Sequence, residues 1–145
     1  MTVGILGLGL IGGSLARAYK LAGHTVYAKN RDADMLAFAM LAGAVDGTLD
    51  ENTVPQCDLL LLAIYPDGSA SWLEENGARI SRDALVIDCC GTKREICRRC
   101  FPVAETYGFT FVGGHPMAGS QFSGFKYSRA TLFQGAPMVL VPPVY

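Results

Sequence analysis

The feature that most constrains this chain is Gly7-Leu8-Gly9-Leu10-Ile11-Gly12. It sits between an apolar run, Val3-Gly4-Ile5-Leu6, and a helical pattern from Ile11 to Ala22. Glycines at that spacing, after a strand and at the opening of a helix, have separate jobs. Gly7 permits a tight turn, Gly9 lets the backbone approach a pyrophosphate, and Gly12 lets helix and strand pack closely. The exposed N–H groups of Leu10, Ile11 and their neighbours, with the partial positive charge of the helix start, favour a diphosphate. An ordinary tight strand-to-helix turn is the bland alternative, and the strand–loop–helix context argues against it.

The rest of the chain repeats that alternation. Gly23 closes the first helix. Thr25-Val26-Tyr27-Ala28 reads as a second strand, and Ala33 to Ala42 as a helix with Asp32 as N-cap and Gly43 as its stop. Val45 starts a short third strand. Leu59 to Ile64 is an uninterrupted apolar strand, the pattern of a parallel sheet covered on both faces. Ser69 to Glu75 is helical, Leu85 to Asp88 a strand, and Lys93 to Tyr107 helical in pattern, with Pro102 expected to kink or split it. Phe109 to Val112 and Met138 to Val141 complete the strands. This predicts an α/β, doubly wound, mostly parallel sheet: a Rossmann-like dinucleotide-binding domain over residues 1–145. No composition shift marks an internal boundary.

Bulk properties exclude several classes. Half of the 145 residues are hydrophobic, enough for a well-buried core, and the net charge is −1. That balance gives no polyanion-binding surface, so nucleic acid is not an expected partner. The longest apolar run, Leu59 to Tyr65, is too short to span a bilayer, so no membrane partner is expected. Val3 to Leu15 is apolar but lacks a basic leader and carries the loop glycines, so a cytoplasmic chain is expected. Five cysteines, Cys57, Cys89, Cys90, Cys97 and Cys100, read as free thiols there. Cys97-x-x-Cys100 near Cys89-Cys90 raises a metal site, but the second knuckle is missing, so no metal is expected.

Two further segments carry chemistry. An Asp or Glu about 20 residues past a dinucleotide loop commonly binds the adenosine ribose. Here the stretch is Lys29-Asn30-Arg31-Asp32. Asn30 would not repel a 2′-phosphate, and Arg31 could pair with one bidentately, so NADP is favoured over NAD. The alternative is Asp32 on an NAD ribose, with Arg31 a solvated turn residue. Ile64, Tyr65 and Pro66, beyond the fourth apolar strand, should line the cofactor cleft. The second segment is Gly113-Gly114-His115-Pro116-Met117-Ala118-Gly119-Ser120. It reads as a glycine-bracketed turn that holds His115 beyond a strand's C-terminal end, where open parallel sheets bind ligands. An imidazole there titrates near neutral pH and can act as a base. A histidine that merely braces its loop is the alternative.

Together, Gly7 to Ala16, His115-Pro116-Met117-Ala118-Gly119-Ser120, and the tail Ala130-x-Leu132-Phe133-x-Gly135-Ala136 with Met138 to Pro142 resemble the prephenate and arogenate dehydrogenases of tyrosine biosynthesis. The resemblance covers the whole chain, and the segment at His115 is its selective part. It implies that His115 accepts a hydrogen bond from the substrate's ring hydroxyl while hydride leaves the same carbon and decarboxylation aromatises the ring. It places Ser120 and Gln121 near substrate or nicotinamide, with Gly91 and Thr92 at the position of a family Asp-x-Gly-Ser-x-Lys segment. Here the serine position is Gly91, and a common family glutamate is Gln121. The resemblance also implies a C-terminal helical dimerisation domain, absent from this chain, that builds a homodimer and supplies an arginine for the substrate carboxylate. Other readings are an NADP enzyme of the β-hydroxyacid dehydrogenase type, which would not share the His115 segment, and a non-catalytic dinucleotide-binding module. Residues alone leave prephenate against arogenate open.

Overall fold

In a computed structural model, which describes residues 1–144, seven strands form one sheet in the order β3-β2-β1-β4-β5-β6-β7. Tyr145, the last residue of the expected domain, lies outside the described residues. β1 (Thr2–Leu6) pairs in parallel with both β2 (Thr25–Lys29) and β4 (Leu59–Leu62). β3 is short, Gly47–Thr48, and lies outside β2. On the other side β5 (Leu85–Asp88) follows β4, and then β6 (Thr110–Pro116). β7 (Met138–Val141) is the antiparallel edge. The chain order therefore reverses direction between β1 and β4. Crossovers on the two sides of that point leave a crevice at the C-terminal strand ends.

Side-chain alternation along the strands feeds two cores. On one face Leu60, Leu62 and Phe111 pack with Leu73 of α3 (Pro66–Asn76) and Ile96 of α4 (Arg94–Tyr107). On the other, Val3, Ile5, Val26 and Leu61 pack with Ala16 of α1 (Leu10–Leu21) and Ala39 of α2 (Ala33–Leu41). β4 is buried on both faces, which is why it reads as four consecutive leucines. Gly23 and Gly43 end α1 and α2 in the left-handed region. Asp32 caps α2 by accepting from the N–H groups of Asp34 and Met35.

Two local expectations change. α4 is not split at Pro102, which lies inside it on the solvent side. Water can serve the Arg98 carbonyl that the proline leaves without a donor, so the residue is tolerated. The Gly113-Gly114-His115 segment is also not a turn. β6 runs straight through it and pairs with β7 as Gly113↔Val141, Gly114↔Leu140 and His115↔Val139. The glycines are there because neighbours approach closely. A Cβ on Gly113 would lie 2.7 Å from Cys97 Sγ, and one on Gly114 would lie 2.5 Å from the Asp88 carbonyl oxygen.

From β6 the chain returns over α1. Phe125, in a short 3₁₀ turn at Phe125–Tyr127, is 1% exposed and meets Phe38 of α2 edge-on, with ring centroids 5.9 Å apart. The Arg17 guanidinium lies 4.6 Å from the Phe125 ring centroid, and its Nε donates to Ser128 Oγ at 2.8 Å. Buried Ser14 accepts from the Arg129 N–H at 3.0 Å. This strap joins the end of β6 to β7.

Candidate functional site

The crevice at the β1–β4 switch point is a cleft of about 950 Å³. Gly7, Leu8, Gly9 and Ile11 line it, with Lys29, Asn30 and Arg31 from the end of β2. Ala63, Ile64, Tyr65 and Pro66 follow from the end of β4, and Cys89, Cys90 and Gly91 from the end of β5.

The glycine loop behaves as its spacing dictates. Gly7 has φ +95°, and its N–H donates to the Lys29 carbonyl at 2.8 Å. A Cβ on Gly12 would run into the Gly7 carbonyl oxygen, so Gly12 holds helix to strand and does not itself line the cleft. At Gly9 an added Cβ would meet nothing within 4 Å. Gly9 is the N-cap of α1, and no side chain caps that helix start. Open backbone at an uncapped helix N-terminus suits a pyrophosphate in both shape and charge. Leu10 opens the helix beside it, half-buried.

Asn30 and Arg31 separate in role. Asn30 Oδ1 accepts from the Leu8 N–H at 3.0 Å, and its Nδ2 donates to the Asp32 carbonyl at 3.2 Å. Its carboxamide thus braces the glycine loop from the end of β2. Arg31 is exposed on the cleft wall. Asp32, the alternative ribose partner, uses its carboxylate to cap α2.

The β5 end faces His115. A Cβ on Gly91 would lie 3.9 Å from His115 Nε2, so the turn after β5 and the imidazole form two sides of one slot. His115 stands past Val112, the last β6 residue paired with β5, and is half-buried. Thr92 is exposed on the same turn. Ser120 and Gln121 are exposed on the strap and are not among the cleft-lining residues. Ser120 Oγ turns inward on its own loop, accepting from the Phe122 N–H and donating to its carbonyl, both at 3.0 Å.

Sequence reading missed two groups. Gly68, Ser71, Trp72 and Glu75 line the cleft from one face of α3. Their spacing of three and four residues was a legible signal. The second is Asp88, fully buried at the end of β5. It pairs with Lys93 and accepts N–H bonds from Cys90 at 3.1 Å and Gly114 at 3.0 Å. A charged residue closing an apolar strand, with lysine five positions on, was its trace. Burial, with the Asp88 carboxylate nearby, pushes the Cys89 thiol up to about 12 and Cys90 to about 11. Both stay protonated at neutral pH and are not nucleophiles there. Among the described residues, no three His, Cys, Asp or Glu side chains are grouped to hold a metal ion. No helix among them is long and apolar enough to cross a membrane.

An open sheet with this strand order, a glycine loop at the switch point and an uncapped helix start define a doubly wound dinucleotide-binding domain. Residues 15–145 match the family model described as prephenate dehydrogenase, nucleotide-binding domain. A prephenate dehydrogenase of Bacillus subtilis is 31% identical over 97% of this chain and 39% of its own length. The crystal structure of Synechocystis arogenate dehydrogenase superposes with a TM-score of 0.89 at 30% identity, covering all of this chain and 51% of that one. A prephenate dehydrogenase from Aquifex aeolicus, solved with hydroxyphenyl propionate and NAD⁺, gives 0.85 at 28% identity over 99% of this chain and 51% of that one. The chain belongs to the prephenate dehydrogenase family and carries its nucleotide-binding domain. It spans about half the length of those solved chains, and less of the Bacillus protein.

Proposed function

We propose that this chain is the NADP-binding part of an enzyme that oxidatively decarboxylates prephenate or arogenate, with His115 as the base. The observation that carries this reading is one cleft edge. It joins the open backbone at Gly9 to the Gly91 turn, and His115 Nε2 lies 3.9 Å from where a Gly91 side chain would begin.

The loop residues Gly7, Gly9, Leu10 and Ile11 would hold the pyrophosphate, with Gly12 packing the helix against the strand behind them. Asn30 would act by bracing that loop, and Arg31 would meet the 2′-phosphate. Ile64, Tyr65 and Pro66 would flank the nicotinamide half. The nicotinamide, when bound, supplies the acceptor for a hydride. A neutral His115 imidazole takes the ring-hydroxyl proton as the C–H bond on that carbon breaks, so a carbonyl forms. Loss of the ring carboxylate as CO₂ sends its bonding pair through the dienone to the new carbonyl oxygen, which leaves an aromatic phenolate that takes up a proton. Ser120 and Gln121, on the strap after His115, would meet substrate only if the strap swings toward the slot. The relatives' greater length supports a second domain that completes the substrate pocket and joins two subunits.

The test is an assay of the full-length gene product with prephenate and with arogenate, each with NADP⁺ and NAD⁺. Substrate-dependent NADPH formation supports the reading. No turnover with either substrate removes it and favours a binding module.

A further inference from the structure

Asp88 touches both walls of the slot that flanks His115. Its Oδ2 accepts the Cys90 N–H at 3.1 Å and so fixes the turn that presents Gly91. Its Oδ1 accepts the Gly114 N–H at 3.0 Å and so fixes β6 one residue before the imidazole. Lys93 pairs with Oδ2 from the start of α4, its stem running along Gly113. The carboxylate is 0% exposed, and three donors satisfy it. A buried ion pair is weak as a stabilising device, because an apolar residue of similar volume commonly serves as well. A carboxylate here does what an apolar side chain cannot: it ties the β5–α4 turn to β6 where the parallel sheet ends and β-ladder bonds no longer join them.

We propose that Asp88, with Lys93 as its counter-ion, is a positioning residue that sets the spacing between the Cys89–Gly91 turn and the His115 imidazole. Its consequence for turnover rests on the reading of His115 as the base. The pair is tested first on the 145-residue chain by NMR hydrogen exchange. In Asp88→Asn the Cys90 and Gly114 amides exchange at least 10-fold faster, amides of β4 are unchanged, and the His115 ring signals move. Unchanged exchange at Cys90 and Gly114 overturns the proposal. Lys93→Met carries the same readouts if Asp88→Asn fails to fold.

The second test uses the full-length gene product. A displaced base costs kcat far more than cofactor binding. Asp88→Asn and Lys93→Met each lower kcat roughly 10- to 100-fold with dinucleotide KM within about 2-fold, the double variant is no worse than the worse single one, and Lys93→Arg restores most of the rate. Wild-type kcat in a folded Asp88→Asn, or additive losses, overturns it. An inactive wild-type enzyme would remove the base reading instead, and the exchange data would still decide whether Asp88 holds the slot.

Discussion

At the residue scale, two of the three loop glycines, Gly9 and Gly12, separate binding from folding. An alanine methyl at Gly9 meets no protein atom, and the residue's φ of −82° is one that alanine adopts. Gly9→Ala should therefore leave thermal stability within about 1 kcal/mol of wild type. The methyl would still occupy the surface proposed for the pyrophosphate, so dinucleotide affinity should fall at least 10-fold by calorimetry. Gly12→Ala should do the reverse first: its methyl collides with the Gly7 carbonyl, and the melting temperature should drop. If Gly9→Ala binds dinucleotide like wild type, the pyrophosphate does not sit on this loop. His115 has its own test in the full-length gene product. His115→Asn should keep cofactor affinity and lose about 10²–10⁴-fold in turnover. Near-wild-type turnover would take His115 out of the mechanism.

The thiols make a further residue-scale prediction. Burial raises Cys57, Cys89 and Cys100 from 9.0 to about 12, and Cys90 to about 11. A thiol whose folded value lies above its unfolded value binds more protons when folded. Its contribution is fully present below pH 9 and is lost as pH rises toward 12. Stability should thus fall steadily above pH 9, and native protein at pH 8 should resist iodoacetamide until it is unfolded. Rapid native labelling of Cys90 would contradict its burial.

At the element scale, the strap is held by one aromatic anchor. Phe125→Ala empties a site between α1 and α2, removes the Arg17 stacking contact, and should cost about 3–5 kcal/mol in denaturant unfolding. Amides of residues 117–137 should gain exchange ahead of the sheet, and simultaneous loss everywhere would mean that the strap is not a separate unit. Sequence showed the strands and helices well because each carries an unmixed signal: four leucines for β4, Asp32 and Gly43 around α2. It misread β6 because two glycines and a proline around His115 carry turn chemistry. Their physical reason, room for Cys97 and Asp88, comes from elements distant in the chain. The pairing of His115 with Val139 is equally invisible without the sheet.

At the scale of the whole molecule, strand order brings Gly7, Gly9 and Ile11 of the glycine loop to one crevice, and the loop's place at a strand-to-helix junction was legible before the structure. What was not legible was the division of labour within it. Asn30 faced the ribose on sequence spacing, yet its carboxamide is committed to Leu8 and Asp32. Trp72 and Glu75 reach the cleft from α3, where their helical spacing shows a shared face but not that the face meets a cleft. On the proposed reading, Arg31, exposed on the cleft wall beside the glycine loop, would meet the 2′-phosphate. A charge-assisted contact there is worth about 1.5–3 kcal/mol, roughly one to two decades of affinity.

Paired calorimetric titrations of this 145-residue chain with NADP⁺ and NAD⁺, repeated on Arg31→Ala, test that claim most directly. The account predicts one site, NADP⁺ bound at least 10-fold more tightly than NAD⁺, and a preference that disappears in Arg31→Ala. Equal affinities in the wild type, or a preference that survives without Arg31, would contradict the assignment of the 2′-phosphate, and no binding of either dinucleotide would contradict the site itself.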